Sequence, residues 1–182
     1  MPPPPLGFCR RFGRRVSLPI ASPVVAAAKL RAHLVKLYAN DDFADPRLAY
    51  TLVDDLHAVV PILAGKGEDR DLYYVRLGAE HYDLHPPIVV FVEPDTWTPA
   101  APKTKWFPEI VQQPTFHLHE NFDFQAAGKR PLLCFSFNAE YYMTQHSPTP
   151  GQTWVQGKHT LAATIYRLSE VMRDHYIRRS GS

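Results

Sequence analysis

Proline decides where this chain can be regular. Eighteen of the 182 residues are proline, about twice the usual share. They gather at 2–5, 86–87, 94–114 and 148–150. Proline lacks a backbone N–H and clashes with the preceding turn of a helix. The middle and later parts of the chain are therefore expected to carry long ordered loops, with regular elements confined between the clusters.

Ser22-Pro23 reads as an N-cap followed by proline at the first helical position. Val24, Val25, Ala28, Leu34, Val35 and Tyr38 recur at helical spacing, which predicts an amphipathic helix over 23–38. Asp45-Pro46 repeats the start signal. Leu48, Leu52, Val53 and Leu56 then predict a second helix ending before Pro61. From His57 the pattern becomes sheet-like. Residues 58–63 read as an edge strand because they contain Pro61, Gly65–Asp69 as a turn, and 72–77 as a half-buried antiparallel strand. Ile88–Val92 is a third strand, rich in β-branched residues.

A loop of about twenty residues follows, with Trp97 and Trp106. Loops of this length in compact domains are functional or disordered, and the two tryptophans favour one packed on the body. An extended segment over 116–124 precedes Gly128-Lys129 and the stretch Leu132–Ser136. A second irregular region runs over 138–151. Leu161, Ile165, Leu168, Val171, Met172 and Tyr176 predict a terminal helix over 158–177. Strands grouped together with helices towards the ends indicate an α+β fold.

A chain with 45% hydrophobic and 21% charged residues lies in the globular class. Twenty basic against eighteen acidic residues leave a net charge of +2, which does not support the basic stripe of a nucleic-acid binder. No apolar run of eighteen residues exists, so no membrane span is expected. Arg10, Arg11, Arg14 and Arg15 before Val16–Ala28 faintly resemble a twin-arginine export signal. Pro19 and Pro23 interrupt the run and no small-residue cleavage site follows, so residues 1–21 are expected to be a flexible tail. Two scattered cysteines, Cys9 and Cys134, suit a reducing, cytoplasmic setting better than a structural disulfide.

Cys134 carries the chemistry of this reading. Two leucines before it and Phe135 after it describe a strand end. A cysteine there is either small-hydrophobe packing or a nucleophile held by a rigid element. The surroundings favour the second. Tyr82-Asp83-Leu84-His85-Pro86-Pro87-Ile88-Val89-Val90-Phe91 is similar to the tyrosine–proline–proline stretch that feeds a central strand in ubiquitin-conjugating enzymes. Leu133-Cys134 resembles their aliphatic residue and catalytic cysteine, Trp154 the tryptophan that follows, and Leu161–Ile165 the next helix. His119-Glu120-Asn121 is similar to their His-Pro-Asn triplet without its proline. Glu140-Tyr141-Tyr142 with His146 looks like the tyrosine- and histidine-containing segment of bacterial members. From Tyr74 onward the chain thus resembles a divergent bacterial member of the ubiquitin-conjugating (UBC-like) superfamily.

The resemblance implies a single UBC-like domain over 22–179, with N-terminal helices, a meander sheet, long active-site loops and a C-terminal helix. It implies that Cys134 accepts a ubiquitin-like modifier as a thioester from an activating enzyme and yields it to an amine of a target protein. No cofactor is needed, since ATP is used upstream. The implied setting is a bacterial conjugation system tied to antiviral defence. The oxyanion formed on amine attack needs a positioned donor: Asn121, or Asn138 in its place. His119, Tyr142 and His146 complete the candidate set. Trp97, Trp106 and Phe107 are candidate partner contacts.

Two alternatives stand beside this reading. One keeps the fold as a non-catalytic binding module for a ubiquitin-like protein. The other is a zinc site built from His117, His119, Cys134 and His146, though their spacing matches no compact zinc signature.

Overall fold

The computed structural model describes residues 17–144, 146–148 and 151–181. Their fold is mixed α+β, with an antiparallel sheet and three helices. Helix α1 spans Pro23–Tyr38 and starts at the expected Ser22-Pro23. It buries Ala26, Ala27, Leu30, Leu34 and Leu37, and exposes Val24, Val25 and Val35. The expected stripe is therefore rotated. Apolar residues occupy both sides of this helix, and the small alanines and the leucines are those that face the body.

The second predicted helix does not form. Asp45 caps only a single 3-10 turn, Pro46–Leu48, by accepting the Arg47 N–H at 2.9 Å. The chain then extends into β1, Thr51–Leu52. Asp54 turns it back by accepting the N–H groups of both Leu56 and His57 at 2.8 Å. That local bonding competes with helix, and cross-strand pairing completes the hairpin. Strands β2 (His57–Ala64), β3 (Asp71–Gly78) and β4 (Ile88–Val92) complete an antiparallel sheet in the order β1-β2-β3-β4. Pro61 pairs with Tyr74 of β3, while β1 covers only Ala58 and Val59. The flank of β2 at Pro61 lies beyond the end of β1, where a missing N–H costs nothing.

The Trp-containing loop returns across the sheet. Trp97 and Trp106 both pack on Tyr74, with ring centroids 5.7 and 6.3 Å apart. Phe107 is buried in the core, so it is not a surface contact as expected. The loop ends in β5, Pro108–Ile110. Strands β6 (His117–Asp123) and β7 (Lys129–Cys134) form an antiparallel hairpin. Helix α2, Ala139–Met143, lies within the region expected to be irregular.

Helix α3, Leu161–Asp174, packs over β2 and against α1, burying Leu161, Ile165, Leu168, Val171 and Met172. It is shorter than predicted. Tyr176–Arg179 leaves the helix as β8 and pairs with β5, held also by Arg179 Nε donating to Asp71 at 2.6 Å. Tyr82 locks the two helices together. Its hydroxyl accepts the Leu161 N–H at 2.7 Å and lies 2.5 Å from His33 Nδ1.

Residues 17–21, expected as part of the tail, are packed down. Leu18 is buried against Ala139 and Met143, and the Ala21 N–H donates to Glu80 O at 2.9 Å. The expectation for residues 1–16, including Cys9, lies outside the described residues. Among the described residues no helix is long and apolar enough to cross a membrane.

Candidate active site

Alternation along β7 places its residues on two faces. Leu133 joins the main core, while Leu132 and Cys134 pack on the other side with Phe124, Phe122 and Tyr141. Cross-strand pairing sets His117 opposite Cys134 and His119 opposite Leu132. The two imidazoles stack on that face, centroids 6.0 Å apart and 17° from parallel. The hairpin then slips. Glu120 and Asn121 together oppose Pro131, between the pairs His119–Leu132 and Phe122–Arg130. Pro131 has no N–H to offer a ladder, and a bulge at that point absorbs the extra residue.

The chain leaving β7 brings a base to the thiol. His146 Nε2 lies 3.7 Å from Cys134 Sγ, within hydrogen-bond reach for sulfur. Its other nitrogen, Nδ1, is 2.7 Å from Thr144 Oγ1. That hydroxyl also lies 2.9 Å from the carbonyl oxygens of Glu140 and Tyr141. With the hydroxyl proton given to one of these carbonyls, the oxygen accepts from Nδ1–H. This leaves the Nε2 lone pair towards the thiol, the tautomer a general base requires. Tyr141 stacks on the imidazole at 4.8 Å and fixes its plane. Thiol, imidazole and hydroxyl are thus linked at hydrogen-bond distances.

Cys134 is 4% exposed. Phe122 and Tyr141 pack beside it, so any molecule reacting at the sulfur must displace part of this cover.

The remaining expected residues divide sharply. Asn138 is wholly buried and its amide is fully engaged: Oδ1 accepts from the N–H of Val89 at 3.1 Å and of Glu140 at 3.3 Å. Its Nδ2 donates to Leu133 O at 2.8 Å and Val89 O at 3.3 Å. It has no donor left for an oxyanion, and the expected role is corrected to a structural one. Tyr142 is likewise spent, its hydroxyl donating to Ser136 O at 3.0 Å and accepting the Trp154 N–H at 2.9 Å. It clamps the chain after the cysteine instead of joining the thiol. Asn121 is exposed on the bulge. Four residues of extended strand past His117 put it roughly 10 Å or more from Cys134. His119 stays on the thiol's face, with Nε2 buried and lacking a hydrogen-bond partner.

Among the described residues, no group of three or more His, Cys, Asp or Glu side chains converges to hold a metal. The zinc alternative fails on that geometry: His117 and His119 stack side by side on β6 while His146 approaches from beyond α2.

The chain matches no protein-family model, and no curated protein matches it.

Two neighbours of His146 were not in the candidate set. Thr144 orients His146, and Tyr141, not Tyr142, covers it. The signal was Thr144 two residues before His146 at the end of a helical turn. There a hydroxyl can bond back to carbonyls three and four residues earlier and still reach forward.

Proposed function

We propose that this chain is a ubiquitin-conjugating-like enzyme that carries a ubiquitin-like modifier on Cys134. The observation that carries this reading is the Cys134–His146 pair, whose cysteine ends the strand that follows the meander and long loop and whose histidine comes from beyond α2. Helix α1 before the sheet, and Trp154 and α3 after the cysteine, stand in the order the resemblance implies. In the proposed reaction His146 takes the thiol proton as Sγ attacks the acyl carbon of a modifier thioester on an activating enzyme. The activating enzyme's thiolate leaves and is protonated. A neutral target amine then attacks the new thioester, its surplus proton passes to the departing Cys134 thiolate, and the amide forms. The setting we propose is a bacterial, cytoplasmic conjugation pathway, with antiviral defence as its role.

The burial of Cys134 favours one second reading, a non-catalytic module that binds a ubiquitin-like protein. Mixing the protein with ATP, a candidate modifier and its activating enzyme separates the two. An adduct heavier by one modifier, released by added thiol and absent in Cys134→Ala, supports conjugation. Cys134→Ser should trap the same adduct in thiol-resistant form. Co-elution of the modifier without any adduct supports the binding module.

A further inference from the structure

Phe122 adjoins every group the proposed chemistry needs. Its ring packs beside Cys134, stands edge-to-face with His119 at a centroid distance of 5.6 Å, and lies 6.4 Å from the His146 ring. It follows the Glu120–Asn121 bulge, where the β6–β7 register is broken, so it moves without opening a regular ladder. An acyl group that displaces this ring to reach Sγ arrives among the thiol, His146 and His119. Of these, His119 has no part yet. Its ring stacks on His117, but its buried Nε2 has no hydrogen-bond partner. Leaving a buried polar atom unbonded is costly, and such an atom in a native site calls for a reason. Nε2 is shut from solvent, so whatever it bonds enters only when the cover of Cys134 opens. His119 is the diagonal neighbour of Cys134 across the ladder, on the same face. Diagonal neighbours stand roughly 7–8 Å apart, within reach of an aromatic side chain, a span that an imidazole and a carbonyl on Sγ together bridge.

We infer that His119 is the oxyanion donor of this site, giving its Nε2–H to the carbonyl oxygen of the acyl group. The inference rests on the reading of Cys134 as an acyl carrier. It fills the part that Asn138, with its amide spent, and Asn121, out on the bulge, do not. As His146 takes the thiol proton and Sγ bonds the acyl carbon, the carbonyl π pair moves onto oxygen. His119 Nε2–H stabilises that charge. Donors fixed in advance do most where water is excluded, as at this buried thiol. The pair then re-forms the carbonyl as the leaving group departs with its bonding electrons, and the thioester remains. His119 keeps its proton throughout.

Two reactions of the same thiol separate this role from a structural one. Acetylation by 4-nitrophenyl acetate passes through a tetrahedral oxyanion and releases nitrophenolate. Alkylation by iodoacetamide displaces iodide and forms no oxyanion. Both need the thiolate, and both need the cover displaced. The rates are measured in a Cys9→Ser background, which leaves Cys134 as the sole cysteine, with Cys134→Ala as the blank. His119→Phe keeps a ring against His117 and Phe122 but has no donor. It should lower the ratio of acetylation rate to alkylation rate about a hundredfold, the lower end for loss of an oxyanion donor. His119→Ala should do the same, so the test stands if the larger ring is not accommodated. His119→Gln, which returns an N–H, should recover much of the ratio. An unchanged ratio in the variants without a donor, or a Gln variant as impaired as they are, would overturn the inference. Neither rate uses a modifier or an activating enzyme. A normal ratio in His119→Phe together with a modifier adduct on Cys134 would strike the inference and leave conjugation standing. A collapsed ratio without any modifier adduct would do the reverse.

Discussion

Asn138 offers the sharpest test of how this site is held. Val89 turns both its N–H and its C=O to the Asn138 amide, on the edge of β4 away from β3. The side chain thus stands in for a neighbouring strand, and through Leu133 O it ties that edge to β7. It also caps the first turn of α2. In Asn138→Ala, Val89 loses both partners and Leu133 O loses one. An unsatisfied buried group costs about 1–3 kcal/mol, and loss of the cap about 1 kcal/mol more. Water entering the vacated space returns part of this. The expected loss is about 4 kcal/mol, a fall in Tm of roughly 8–16 °C for a domain of this size. Asn138→Asp should be at least as damaging at neutral pH, since a carboxylate oxygen then faces two carbonyls. Its pKa would be raised in the folded state. Its deficit relative to wild type should therefore shrink as pH falls and the protonated acid regains a donor. Urea unfolding of the three proteins at pH 7 and pH 5 measures this. Wild-type stability in Asn138→Ala, with thioester formation lost, would refute the structural role and return Asn138 to the chemistry.

Three further outcomes follow from the geometry. His146→Ala should slow alkylation of Cys134 by iodoacetamide near neutral pH, and Thr144→Val should do so in part by freeing the imidazole tautomer; unchanged rates in both would remove His146 as the base. Arg130→Ala leaves Glu140 buried beside an empty position and should cost about 2–3 kcal/mol, below the range for fully buried pairs because Arg130 is partly exposed; a change under 0.5 kcal/mol by urea unfolding, on the order of a neutral surface substitution, would sink that account. Burial holds the pKa values of His33, His85 and His159 below the ordinary 6.5. The unfolded chain therefore binds more protons below pH 6.5, so stability should be lost as pH falls from there towards the folded values. A higher urea midpoint at pH 5.5 than at pH 7.5 would contradict it.

Much of the fold was legible because local physics dictated it. Pro23 at the first helical position set the start of α1, although the Ser22 side chain makes no cap bond, the β-branched run at 88–92 made β4, and Pro61 marked the flank of β2 that β1 does not reach. Errors came where partners distant in sequence decided. Leu48, Leu52 and Leu56 carry a helical spacing, yet the pairing of Thr51 with Val59 and the turn bonds of Asp54 won. Tyr176 continues the apolar period of α3, yet β5 captures its backbone as β8.

The site divides in the same way. Sequence by itself determined that Cys134 ends an apolar strand, that histidines surround it in the chain, and that a tyrosine–histidine segment follows. Those facts depend only on residue types and their order. Which asparagine is spent, which tyrosine covers the imidazole, and which histidine reaches the sulfur were decided by tertiary structure. A hydrogen bond is committed by direction and distance within a few tenths of an ångström, and spacing along a chain does not specify that across a bulge, a turn and a helix of five residues.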